Sequence, residues 1–277
     1  SRLDPIDKFM RKNTPEDSIV VEANWRDNKY FPKPLQEDME RDRQVDPVKA
    51  SHIWDGDYQS VTGGSYYSQL LLDCKIQGRI TEVDFEPELP VYVSWDLGIG
   101  DSMSLVLWQQ TPISLRIIDH YENHSQPLPH YIDWLQSKEY EGNYEIDWLP
   151  HDAKARELGT GLTRVETMRQ YRSKINPEAE RRNPKVIPNH RIEDGINAVR
   201  ELLPQMWFDA EKCEYLLECL AQYREDYSSK LLTLTSKPLH DWTSHSADAI
   251  RYMAMAYKKM KPGTKVTEPM NFAMSLN

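Results

Sequence analysis

The sequence predicts an α/β fold, a mixed central sheet of about five or more strands with helices on both faces. Two observations predict it. Three apolar, strand-like runs follow one another through short turns between residues 91 and 123, the spacing of an antiparallel meander. Beyond residue 127 helical and strand patterns alternate, which places helices on both faces of a sheet that includes parallel strands.

The elements read in order as follows. Residues 1–60 are irregular and rich in proline and charge, with a strand-compatible run at SIVVEANW (18–25), a short charged helix near Gln36–Arg43 and a turn at Trp54-Asp55-Gly56-Asp57. After Gly63-Gly64, SYYSQLLLDCKIQGRI reads as an amphipathic helix ending near Gly78. VYVSWDLG (91–98) is a buried strand that ends in an acidic residue. SMSLVLWQQ (102–110) and SLRIIDHYEN (114–123) follow across turns at Gly98–Asp101 and Thr111-Pro112. In PLPHYIDWLQSKEY (127–140), Tyr131, Trp134 and Leu135 are apolar at i, i+3 and i+4, as one helix face requires. YEIDWLPHDA (144–153) is a fourth strand, ELGTGLTRVETMRQYR a loop and helix, and PKVIPNH (184–190) a short fifth strand. Residues 192–207 and 212–226 read as helices, KLLTLTSKPLHDW (230–242) as a hairpin, SHSADAIRYMAMAYKKM (244–260) as the last helix, and 261–277 as a frayed tail.

Composition narrows the class. At 277 residues, 39% hydrophobic and 28% charged, the chain has enough apolar surface to offset its conformational entropy, so wholesale disorder is excluded. No apolar run of about 18 residues occurs, so no membrane span is expected. The N-terminus shows no signal-peptide pattern. Cys74, Cys213 and Cys219 form no CxxC pair and read as reduced thiols of a cytosolic protein. The net charge of −10 argues against a polyanionic partner, but net charge does not describe a local face. Residues 1–90 carry 12 basic against 18 acidic residues, whereas residues 151–200 carry 11 against 7. The centre is basic inside an acidic chain.

Three aspartates stand at element ends: Asp96 in the first strong strand, Asp152 after the fourth strand and Asp248 early in the last helix. Singly, each also reads as a turn or cap residue, and Asp248 as an acidic residue favoured near a helix N-terminus. Together they suggest a hard divalent cation, because Mg²⁺ and Mn²⁺ prefer carboxylate oxygens and a pair of such ions drives phosphodiester hydrolysis. Glu122, ending the third strand, reads as a surface residue.

The strings VYVSWDLGIGDSMSLVLWQ (91–109), WLPHDAKAR (148–156) and HDWTSHSADAIRYMAMAY (240–257) resemble the nuclease domain of the large terminase subunit of tailed bacteriophages, in the RNase H-like (retroviral-integrase-like) superfamily. ANWRDNKYFP…DPVKASHIWDGDY is similar to that family's junction between ATPase and nuclease domains. The resemblance implies an RNase H-like sheet and a metal-binding, catalytic triad of Asp96, Asp152 and Asp248. It implies two ions, Mg²⁺ or Mn²⁺, with Asp101 and His245 as auxiliary residues. His245 precedes Asp248 by three residues, one turn away on the same helix face. It further divides the chain into a junction segment (1–60), a nuclease domain (61–260) and a flexible tail (261–277).

No GxxxxGK[ST] motif, GxSxG elbow, HExxH or zinc-type cysteine spacing occurs. The chain is therefore expected to cleave DNA without hydrolysing ATP. Lys154, Arg156, Arg164 and Arg169 open a basic stretch directly after Asp152, and Lys230 and Lys237 lie in the hairpin. These six are candidate DNA contacts, to phosphates and so with little sequence preference. The same charges also read as a solvated helix face. The expectation is a monomeric, metal-dependent endodeoxyribonuclease acting on double-stranded, concatemeric phage DNA in the host cytoplasm. Its partners in a full-length setting would be the ATPase domain, the portal protein and the small terminase subunit. Two rivals remain: a junction resolvase or transposase-type nuclease using the same carboxylates, and a catalytically weak docking module for the portal or another packaging partner.

Overall fold

The computed structural model describes residues 18–21, 23–45, 50–55, 64–98, 102–157, 161–228 and 233–260. In chain order the elements are α1 (Lys33–Val45), α2 (Ser68–Ile76), β1 (Ile80–Thr81), β2 (Val91–Asp96), β3 (Ser102–Gln110), β4 (Leu115–His124), α3 (Leu128–Gln136) and β5 (Tyr144–Leu149). Then follow α4 (Arg164–Gln170), β6 (Pro184–Val186), α5 (Ile192–Leu202), β7 (Met206–Asp209), α6 (Glu214–Gln222), β8 (Glu225–Ser228), β9 (Thr233–Pro238) and α7 (Ser244–Met260).

Two compact units are present. The first comprises the chain up to Gln69 together with Leu220–His240. Its N-terminal part is a polar clasp. The Trp25 indole donates to Asp55 Oδ1 at 3.0 Å, and Arg26 and Arg43 pair with the same carboxylate at 2.8 and 3.1 Å. The Trp25 bond, ahead of the two arginines, holds the Asp55 carboxyl below the usual range. Ser18–Val21 form no strand, and a single π-helical turn spans Ser51–Asp55. In the same unit β8 and β9 pair antiparallel, and Tyr67 stacks on Tyr223 with ring centroids 5.9 Å apart. This grouping puts residues 220–240 with the N-terminal segment, a division finer than a boundary at residue 60.

The second unit, Leu70–Cys219 with the chain from Asp241 onward, carries a seven-stranded sheet of order β1-β7-β4-β3-β2-β5-β6. β2, β3 and β4 form the antiparallel meander. β5 runs parallel to β2, β6 parallel to β5, β7 parallel to β4, and β1 parallel to β7. Strand alternation sorts the faces. Val91, Val93 and Trp95 point to a core shared with Leu105, Leu107 and the α3 residues Tyr131, Ile132 and Leu135. Tyr92, Ser94 and Asp96 point to the opposite face. There Trp108 meets Tyr92 (4.6 Å) and Tyr257 of α7 (6.5 Å), so α7 covers that face. The long α7 buries Ala247, Ala249, Ile250, Met253, Ala254 and Tyr257 along one stripe, the i, i+3, i+4 pattern of a core-facing helix.

The predicted α/β class with helices on both faces is what the structure has, with more strands than the five legible in sequence. Residues 206–207 do not continue the helix of 192–202. Pro204 lacks the N–H the helix needs, the chain makes a short 3₁₀ turn at Leu203–Gln205, and Met206–Asp209 enters the sheet as β7 beside β4. Asp209 closes β7 by accepting backbone N–H bonds from Val83, Glu211 and Lys212. The hairpin also starts earlier than residue 230: β8 begins at Glu225, inside what reads as the end of a helix.

Candidate functional site

The site grows out of one cross-strand row. Asp96 of β2 pairs with Ser104 of β3, and Ser104 pairs with Glu122 of β4. Residues directly opposite in a ladder share a face, so these three side chains point to the side that α7 covers. The first turns of α7 bring His245, Ser246 and Asp248 onto that row.

His245 Nδ1–H donates to Asp96 Oδ2 at 3.0 Å, and both side chains are mostly buried. Burial is the main force on Asp96, and the nearby charge of Asp248 adds to it. The His245 bond and Arg251 pull the other way, leaving the Asp96 carboxyl pushed up to about 6. Asp248 Oδ1 is held by Arg251, with Nη2 at 2.5 Å and Nε at 3.1 Å. Arg251 is itself buried. Room for it comes from Gly195 in α5, where a Cβ would lie 3.2 Å from His190 Nε2 and 3.3 Å from Arg251 Cβ.

Asp152 is exposed, in the 3₁₀ turn His151–Lys154 that follows β5. Because β5 runs parallel beside β2, the chain leaves both strands at the same sheet edge. Tyr252 of α7 registers the result: burial raises its hydroxyl, and the charges of Asp248, Asp96 and Asp152 all add to that rise. The His245–Asp96 bond seats the first turns of α7, which carry Asp248, beside the end of β2, and Asp152 follows the neighbouring β5 at the same edge. Among the described residues no group of three or more His, Cys, Asp and Glu side chains is spaced to hold a single ion. The donor chemistry nevertheless fits a hard cation, since the carboxylates are oxygen donors and the charge of Asp248 adds to the rise of the Asp96 carboxyl. Asp101 lies outside the described residues.

The sequence points to Glu122 as a surface residue and does not single out Ser246 or His120. Glu122 is half-buried and not a surface residue. Ser246 Oγ donates to its Oε2 at 2.6 Å, and Tyr215 OH lies 3.4 Å from its Oε1. Burial raises its carboxyl, with the Ser246 bond and His245 opposing. Behind it His120 is buried, its Nε2 2.8 Å from Ser246 Oγ and 3.0 Å from Ser104 Oγ. Burial lowers this imidazole to about 3, so it is neutral. The register of the meander is the signal that leads to Glu122: the residue opposite Asp96's partner is the one to inspect.

The basic candidates divide. Lys154, Arg156 and Arg169 are exposed, with Arg156 Nη1 also donating to the Gly161 carbonyl at 2.8 Å and Arg169 to that of Pro184 at 3.3 Å. Arg164 turns inward: it is buried, donates to the Leu97 carbonyl and pairs with Glu157. This corrects its reading as a phosphate contact, because its charge is already used within the fold. Arg182, from the same basic stretch, is buried against Asp147 at 2.6 Å. Lys237 is exposed on β9, and Lys230 lies outside the described residues.

No family model and no curated protein matches the sequence. Solved structures do. The large terminase of a thermophilic bacteriophage aligns in one crystal form over 85% of this chain and 55% of its own, at 18% identity and a TM-score of 0.51. A second crystal form of the same terminase aligns over 91% of this chain and 57% of its own, at 15% identity and the same TM-score. The fold is the one seen in large terminases. A weaker likeness, with a TM-score of 0.46 at 15% identity over 61% of this chain and 86% of the other, is to the large terminase nuclease domain of bacteriophage SPP1 with bound Mn. The chain spans little more than half the length of the thermophilic phage's terminase, and identities this low speak for the terminase fold alone. No helix among the described residues is long and apolar enough to cross a membrane.

Proposed function

We propose that this chain is a metal-dependent DNA endonuclease of the terminase kind, cutting double-stranded, concatemeric phage DNA with little sequence preference. The observation that supports the reading is the His245–Asp96 bond, which sets the α7 turns bearing Asp248 beside the end of β2, with Asp152 following the parallel neighbour β5. In this reading Asp96, Asp152 and Asp248 hold Mg²⁺ or Mn²⁺. Such ions, when bound, activate water and neutralise charge on the leaving 3′ oxygen.

The chain's own groups have definable tasks. His245 fixes the orientation of the Asp96 carboxylate through its Nδ1–H. Arg251 orients Asp248 and offsets charge at a crowded acidic site. The exposed Lys154, Arg156 and Arg169 meet backbone phosphates, contacts that position DNA without reading its sequence. A packaging setting supplies the remaining partners: an ATPase domain, a portal protein and a small terminase subunit.

The test is plasmid cleavage. The purified chain with Mn²⁺ should nick and then linearise supercoiled DNA, and chelation should stop it. Asp96→Ala should abolish the activity. Cleavage that survives Asp96→Ala, or that persists in excess chelator, sinks the proposal.

A further inference from the structure

We infer that Glu122 and Ser246 are positioning residues, which lock the first turn of α7 onto the sheet so that His245 meets Asp96. The inference rests on the nuclease reading above for its functional consequence, but its geometry stands without it.

Asp96, Ser104 and Glu122 occupy successive strands on one face, and α7 lies over them with no glycine in its first turns to give it slack. Two adjacent residues of that helix make the seam. His245 reaches Asp96 at one end of the row. Ser246 reaches the other two members, with Glu122 Oε2 at 2.6 Å and Ser104 Oγ at 3.2 Å. Each bond fixes one edge of the helix turn, so rotation of α7 about its axis would break both.

The direction of the Ser246–Glu122 hydrogen bond follows from chemistry. An ionised carboxylate only accepts, so the Ser246 hydroxyl proton points to Glu122. Ser246 Oγ also lies 2.8 Å from His120 Nε2 and 3.2 Å from Ser104 Oγ, so its remaining hydrogen-bonding capacity faces both. His120, Ser246 and Glu122 thus form one connected polar chain. Tyr215 closes it from α6, with its hydroxyl 3.4 Å from Glu122 Oε1 and its ring stacked on His120 at 5.9 Å. Ser104, Ser246 and His120 are all buried. A satisfied polar network in such a place specifies one arrangement, and a broken one leaves a buried donor or acceptor unmade. Glu122 acts in this scheme through Ser246 and His245 and not as a ligand of the ion.

Three variants of the full chain test it: Ser246→Ala, Glu122→Ala and Glu122→Gln. Glutamine keeps a carbonyl oxygen that accepts from Ser246 while losing the charge. The first readout is the ¹⁵N side-chain resonance of His245 in metal-free protein at pH 8. The wild type and Glu122→Gln should show a single Nδ1–H tautomer, and Ser246→Ala a shift toward a tautomer mixture. The second is cleavage kinetics. Ser246→Ala and Glu122→Ala should lower kcat by about 10–100-fold, the range for losing an outer partner of a metal ligand. KM for DNA should hold, and Glu122→Gln should restore kcat. Glu122→Gln as defective as Glu122→Ala would overturn the inference, since charge and not position would then be what matters. So would an unchanged His245 resonance in Ser246→Ala. Should Glu122→Ala fail to fold, Ser246→Ala and Glu122→Gln decide alone. If the wild type cleaves nothing, the nuclease reading fails, and the resonance of His245 still decides the positioning claim.

Discussion

His245 Nδ1 stands 3.0 Å from Asp96 Oδ2, joining the first turn of α7 to the last residue of β2 across 149 positions of sequence. Both side chains are largely withdrawn from water. The bond fixes the rotamer of a carboxylate that would face a cation. Replacing His245 by Ala should reduce Mn²⁺-dependent cleavage by about 10–100-fold while leaving the thermal unfolding profile near that of the wild type. Full activity in His245→Ala would remove the histidine from the site.

Away from the site, Arg182 makes a two-point bond to Asp147, with Nε at 2.9 Å and Nη2 at 2.6 Å, and Trp95 donates to the same carboxylate at 2.9 Å. All three are buried, and the guanidinium lies 4.0 Å over the Tyr144 ring. Arg182→Ala strands a buried negative charge, which costs about 3–5 kcal/mol. Urea unfolding should report a loss of that size. A change of a few tenths would place the pair on the surface in solution.

His120 gives the fold a defined acid response. Its ordinary value of 6.5 falls to about 3 through burial. Below pH 6.5 the unfolded chain binds a proton that the folded chain refuses until about pH 3. The unfolded state therefore carries the excess proton in this window, and stability falls as pH drops, by about 1.4 kcal/mol per pH unit from this group alone. Above pH 6.5 the contribution vanishes. His120→Gln should flatten the slope of unfolding free energy between pH 6 and pH 4.5 by up to one proton. An unaltered slope would mean that His120 titrates freely.

The basic residues should separate in a salt titration of DNA binding. Arg156→Ala, at an exposed position, should weaken binding alike for unrelated sequences and lower the salt slope by about 1. Arg164→Ala should leave the slope alone and lower stability instead, because the side chain is spent on Leu97 and Glu157. The reverse pattern would return Arg164 to the DNA face.

What was legible in sequence follows from where the physics is local. β2, β3 and β4 are readable because a buried meander needs continuous apolar runs and short turns, and both are local patterns. The last helix is readable from its i, i+3, i+4 stripe. β7 was hidden because Met206-Trp207-Phe208 is apolar in either a helix or a strand, and only Pro204 hinted at the break. Asp96 and Asp248 could be singled out by their place at element ends, and His245 through the family resemblance. Glu122 could not, because its role depends on which residue stands across two strands, a matter of register. Arg164 and Arg182 show the converse: a count of charges treats them as a basic face, and only packing reveals that each has a partner inside.

In the proposed reaction the acidic edge formed by Asp96, Asp152 and Asp248 binds a divalent cation. Crystals of the full chain soaked in Mn²⁺ and measured at the manganese absorption edge test it most directly. The expected result is an anomalous peak coordinated by Asp96 and Asp248, with Asp152 drawn toward it, and absent in Asp96→Asn. A map with no peak at this edge, or one unchanged by that substitution, would contradict it.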